Sequence, residues 1–343
     1  MDSLLFTLNA VLPIIFCILI GYIIKLLKIF PDEFWQKLNK LCFRLLLPFL
    51  LFKNIYDIKS ITLLGENWQA LVFASVAIIS FFFIGLLIVI LLVKDDKQKG
   101  VVLQCIFRSN YAIIGIGLIE LLAVGENLGV AKGIGSVIAA LSIPLFNILA
   151  TISLTIFIKD NDNNKISIKN ILLKIIKNPL IIAVFLGLIV ISFRSLIPTD
   201  NMNNPVWSLR YFNEYGKNDT FIYTTIKYIA QSASPIALIA LGGGFRFSAV
   251  KKLKYQIILG VSARIIIVPV VSLYIAYLFK FDNSYFPALI ALFATPVAVS
   301  SVPMSSEMNN DSELAGQLVV WTTILSAFTL FLIILVCRNI GLL

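Results

Sequence analysis

The stretch FASVAIISFFFIGLLIVILLV, Phe73 to Val93, runs through the thickness of a bilayer without a single charge. A hydrocarbon core about 30 Å thick takes roughly 20 residues of helix at 1.5 Å each. Backbone N–H and C=O groups in lipid find no water, so a segment of this kind satisfies them within itself and is an α-helix. Ten such runs occur, at about 4–27, 38–58, 67–93, 101–123, 130–158, 178–197, 221–245, 255–279, 285–305 and 314–337. The composition agrees: 59% of the 343 residues are hydrophobic and 13% charged, whereas a soluble domain is about half apolar and a quarter charged. The expected fold is an all-α polytopic membrane protein.

The net charge of +10 does not point to nucleic acid, because the basic residues are parcelled out between apolar runs and no soluble domain presents a basic face. Sixteen lie in the loops after the odd-numbered runs and nine on the other side. The richer side is expected to be cytoplasmic. Both termini are then outside the cell membrane, with the polar insertion from Pro198 to Thr220. Asp2 is the only charge before Lys25, unlike a cleavable signal, so the first run is expected to be retained. The chain has no histidine, and Cys17, Cys42, Cys105 and Cys337 sit apart in apolar surroundings. Zinc, haem and histidine-based catalysis lose their usual ligands. Neither a metal, a cofactor nor an enzyme activity is expected. EMNNDSE (Glu307–Glu313) lacks the spacing of a calcium loop. GGGF (Gly242–Phe245) is followed by no Gly-Lys-Ser/Thr and is read as a tight helix end.

The two halves echo one another. LNAVLPIIFCILIGYII near the start is matched by KNPLIIAVFLGLIVI from Lys177, and LCFRLLLPFLLF (Leu41–Phe52) by IAQSASPIALIA (Ile229–Ala240). FRSNYAIIGIGLIE (Phe107–Glu120) lies against FATPVAVSSVPMSSE (Phe293–Glu307). Five runs is an odd number, so the second copy enters inverted. Inverted repeats with interrupted helices at matching places mark secondary transporters. Residues 1–158 are read as the first five-helix repeat, 159–177 as a cytoplasmic linker and 178–343 as the second repeat.

These stretches also resemble the auxin efflux carrier family, which includes plant PIN-type exporters and many prokaryotic permeases. Asn110, Gly115 and Gly117 match the family pattern Asn-x4-Gly-x-Pro, with Gly117 in place of the proline. ASPIALIALGGGF resembles the end of the family's seventh helix. ATPVAVSSVPMSSEMNNDSELAGQLVVWTTILS resembles its ninth helix, the next loop and the start of the tenth, and NPLIIAVFLGL the start of the sixth. The long central loop of many plant members is missing, as in the short prokaryotic type. The resemblance implies ten helices in two inverted repeats, with helices 4 and 9 broken where they cross and substrate held there. It further implies a moving unit of helices 3–5 and 8–10, of the elevator kind. Helices 1, 2, 6 and 7 would form a scaffold and a homodimer contact.

A break in the fourth run, expected near Ile113–Gly117, would free backbone groups that are tolerated at mid-membrane only where they line a cavity or are buried in protein. A half-helix N-terminus suits an anion, and Asn110 offers a donor and an acceptor beside it. Pro296, Ser300, Ser301 and Pro303 are expected to act correspondingly in the ninth run. Arg264, in VSARIIIVPV, lies roughly 15 Å into the eighth run, near the limit of snorkelling. An unpaired intramembrane charge is costly and marks a functional site. Glu120 and Glu307 are its candidate partners, and the candidates for proton coupling. Arg108 and Arg44 are placed nearer the cytoplasmic face. The reading is a permease for small organic anions, such as malate, malonate or an auxin-like acid, coupled to sodium, to protons or to the membrane potential. A cation/proton exchanger of the same fold would show an acidic pair at the crossing. A membrane receptor would carry a signalling domain for which the loops leave no room.

Overall fold

A computed structural model describes residues 2–57, 68–123, 127–158, 173, 176–196, 210–213 and 216–343. Much of the 159–177 linker and of the insertion from Pro198 to Thr220 lies outside the described residues. The described chain is helical apart from one small hairpin, β1 (Arg210–Asn213) against β2 (Gly216–Asp219). Its helices are α1 (Asp2–Leu26), α2 (Asp32–Leu41), α3 (Leu47–Tyr56), α4 (Trp68–Leu92), α5 (Asp96–Phe107), α6 (Ile116–Leu122), α7 (Asn127–Ile156) and α8 (Pro179–Leu196). After the hairpin come α9 (Phe221–Gly244), α10 (Ala249–Lys252), α11 (Lys254–Ser262), α12 (Val268–Leu278), α13 (Phe286–Phe293), α14 (Ser301–Glu307) and α15 (Ser312–Asn339).

Among the described residues, four stretches are long and apolar enough to cross a membrane: Trp68–Leu92, Val130–Ile156, Lys254–Leu278 and Ser312–Asn339. Shorter apolar helices include Leu12–Leu26, Tyr111–Leu122, Pro179–Val190 and Asn283–Phe293. In α4 only 28% of the span is buried. Phe83, Leu87 and Leu91 stand exposed along it, as on a helix whose outer face meets lipid tails.

Helix ends follow their capping residues. The side chains of Asp95, Asn178 and Asp311 each accept a bond from a backbone N–H of the turn that follows, which satisfies a donor the helix start leaves open. Two long helices change pitch ahead of a proline. A π turn at Cys42–Leu46 precedes Pro48 and joins α2 to α3; another at Ala263–Ile267 precedes Pro269 and joins α11 to α12. The proline ring would collide with the carbonyl four residues back and offers it no N–H, and one wider turn relieves both faults. Arg44 and Arg264 ride on these two turns.

Helices α1, α2, α3, α8 and α9 pack on one another, and α4–α7 pack with α11–α15; the two groups meet where α1 packs on α15, α2 on α14 and α8 on α7. The tightest contact in the first group is made by glycine. Gly21 of α1 abuts the Ile239 carbonyl, and Gly242 of α9 abuts the Ile18 carbonyl, so a Cβ at either would overlap backbone. Gly243 lies under the Trp35 ring in the same way. The GGG run thus lets helices approach closely, beyond its expected part in ending a helix.

Candidate functional site

Two helices are interrupted, and the interruptions meet. α5 stops at Phe107 and the chain runs extended through Arg108. Past α13 the chain stays non-helical until α14 begins at Ser301. The two open segments pair as a short antiparallel bridge of Ser109 with Val297. The Asn110 N–H donates to the Pro296 carbonyl at 2.8 Å, and the Val297 N–H to Thr322 Oγ1 at 3.3 Å. Each helix therefore surrenders its ladder to the other, and the freed groups are met inside protein, as the bilayer requires.

The break in the fourth run lies at Arg108–Asn110, ahead of the expected Ile113–Gly117. Tyr111–Gly115 forms a π turn and Gly117 is already in α6. The glycines weaken the helix locally, but backbone pairing with the ninth run decides where it opens. Gly115 is buried against the Tyr111 ring; a Cβ on Gly117 would meet nothing within 4 Å, and Gly117 is exposed.

Arg108, expected nearer the cytoplasmic face, is buried at this meeting. The residue is 3% exposed. Nη2 donates to Asn147 Oδ1 and to Ser300 Oγ, both at 2.8 Å. Nη1 donates to Gln104 Oε1 at 3.4 Å and lies 2.9 Å from Met304 Sδ. Every one of these partners is neutral, and no carboxylate reaches Arg108 among the described residues. By the 1.5 Å rise Arg108 sits roughly 18 Å past the start of α5 at Asp96 but only about 10 Å past the start of the apolar run at 101, so depth along the run did not single it out as it did Arg264. Asn147, which orients Arg108, carried no comparable mark.

Arg108, Ser109, Asn110, Asn147 and Ser300 line a cavity of about 40 Å³. Leu47 and Leu51 of α3, Leu180 of α8 and Ala237 of α9 form its opposite wall. Two atoms on the polar wall, Ser109 Oγ and Asn110 Nδ2, are buried without a hydrogen-bond partner, a costly state that calls for a ligand or water. Ser301, next along, also has a buried, unpartnered Oγ, and Pro303 is buried in the first turn of α14. Larger crevices of about 310 Å³ and 580 Å³ flank α14.

Arg264 is fully buried, but its partners are not carboxylates. Nε donates to the Thr295 carbonyl at 3.1 Å, Nη1 to that of Ile106 at 3.3 Å, and Nη2 to those of Leu292 at 3.4 Å and Phe293 at 2.5 Å. Arg264 does not form the expected pair with Glu120 or Glu307. Glu120 pairs with Lys132 at 2.9 Å and Glu307 with Arg44 at 3.2 Å. The interruptions leave helix-end carbonyls unbonded near Arg264, and these take up its donors.

A family model described as membrane transport protein matches residues 6–334. The chain belongs to this auxin efflux carrier family of membrane transport proteins. No curated protein matches it. In this member of the auxin efflux carrier family the meeting of two interrupted helices is buried inside a membrane-embedded helical protein. Its two buried charges among the described residues are both arginines.

Proposed function

We propose that the protein is a secondary transporter of small organic carboxylates, of the short prokaryotic type, which holds the carboxylate at the crossing of its two broken helices. The observation that carries this reading is Arg108: a buried cation at a cavity wall, with neutral partners only. A carboxylate is the group that would neutralise it with strong, charge-assisted bonds. The free Asn110 Nδ2 and Ser109 Oγ supply further contacts. The anion's attraction comes from Arg108 more than from a helix start, since α14 is only seven residues long.

Malonate, malate and auxin-like acids fit this chemistry. A cavity of about 40 Å³ holds water and is too small for a dicarboxylate, so loading requires the wall of α3, α8 and α9 to part from the broken helices. The grouping of helices supports an alternating-access motion of the elevator kind, with α4–α7 and α11–α15 as the moving unit and the rest as a scaffold and dimer contact. The order of elements in the second half, with its own interrupted helix, supports two inverted repeats. A cation/proton exchanger is disfavoured, because no carboxylate is buried among the described residues.

The test is calorimetric binding of malonate, malate and indole-3-acetate to purified protein, followed by uptake of the best ligand in proteoliposomes. Arg108→Gln is expected to weaken binding by about 2–5 kcal/mol, and Asn110→Ala by about 1–3 kcal/mol, both with wild-type melting. Undiminished binding by Arg108→Gln would remove the basis of this reading.

A further inference from the structure

We propose that Arg264 is a tethered cation standing where a transporter of this construction would hold a coupling ion, and that the protein therefore works without sodium. Transporters with interrupted helices coordinate sodium with unwound backbone carbonyls and the negative C-terminal ends of half-helices. Carbonyls of both kinds converge here. Ile106 O belongs to the end of α5, Leu292 O and Phe293 O to the end of α13, and Thr295 O to the open segment beyond it. The guanidinium of Arg264 takes all four.

Two further observations and one rule of arginine chemistry fit this role. Arg264 is 0% exposed and does not line the cavity beside Arg108, so its contacts are with the broken helices and not with a bound anion. The π turn that carries it aims the side chain from a third helix, α11–α12, at both interruptions. An arginine stays charged in proteins, so the carbonyl cluster has a permanent, non-exchangeable counter-charge. Sodium could enter only by displacing it. The inference rests on the reading of the crossing as the substrate site, and it assigns Arg264 as a positioning residue that acts through the backbone of that site.

The experiment compares melting of the purified protein in sodium chloride and in choline chloride at equal ionic strength, which keeps screening constant. Wild type is expected to melt at the same temperature in both. Arg264→Ala opens a carbonyl-lined space of ionic size. It is expected to melt several degrees lower in choline and to recover part of that loss in sodium, because a ligand that binds only the folded state stabilises it. Arg264→Lys keeps a tethered charge and is expected to be as indifferent to sodium as wild type. Arg264→Gln, close in size and uncharged, repeats the alanine test if that variant does not fold; if neither folds, the wild-type comparison decides. A wild type that melts higher in sodium, a folded neutral variant indifferent to sodium, or a lysine variant that gains sodium dependence would each overturn the proposal. Arg108→Gln that still binds anion would instead defeat the substrate reading and leave the sodium comparison standing.

Discussion

Two arginines buried near the crossing do different work because their partners differ. Arg108 meets side chains at a cavity wall and keeps an unanswered charge. Arg264 meets only main-chain oxygens. Neither difference is legible in a one-dimensional string, where both read as a charge inside an apolar run. The glycines were equally ambiguous. Gly115 and Gly117 look alike in the motif, yet a Cβ on Gly115 would press on the Tyr111 ring at 2.8 Å and one on Gly117 would meet open space. Gly117→Ala is therefore expected to leave anion binding intact and to hold or raise the melting temperature, by up to about 1 kcal/mol of helix propensity. Gly115→Leu is expected to cost about 1–3 kcal/mol through overpacking. Paired thermal melts and calorimetry check both, and loss of binding in Gly117→Ala with normal melting would return that residue to the site.

At the scale of elements, the sequence reading was strongest where one local signal suffices. The apolar runs at 67–93, 130–158, 255–279 and 314–337 correspond closely to the four long apolar stretches, because a run of that length in lipid has one way to satisfy its backbone. It was weaker at the interruption, because the partner of Ser109 is Val297, far along the chain. Local propensity pointed to the glycines, and long-range pairing moved the opening to Arg108–Asn110. The contact of α1 with α9 offers a test of packing by small residues. Gly242→Ala puts a Cβ into the Ile18 carbonyl, whereas Gly244→Ala meets nothing within 4 Å. The first is expected to lower the melting temperature by several degrees and the second to leave it unchanged. Equal melting of the two would show that this helix pair shifts freely.

At the scale of the whole molecule, described residues of the loops rich in lysine touch residues of neighbouring loops and helix ends. Lys25 donates to the Phe245 carbonyl, Asp311 N–H bonds to the Lys97 carbonyl, and Arg44 and Lys177 line a crevice with Glu307. If those loops face the cytoplasm, a cysteine at Lys252 is expected to resist an impermeant maleimide on whole cells and one at Asn283 to react. Three of the four native cysteines are buried and the fourth partly so, which keeps the background low. Labelling at 252 and not at 283 would turn the protein over. The carbonyl cluster around Arg264 also bears on how the chain is made. Synthesis delivers Ile106 before Arg264, but Leu292, Phe293 and Thr295 only afterwards. While the eighth run enters the bilayer, its arginine has one of its four carbonyl partners, at a time when a central arginine costs about 2.5–3.5 kcal/mol on insertion scales. The apolar residues around it, with a mean hydropathy of 2.2 over an 18-residue window within Lys254–Leu278, carry the segment in regardless. The ninth run then closes the remaining bonds as it arrives, so the charge helps to recruit the helix that follows it from the ribosome.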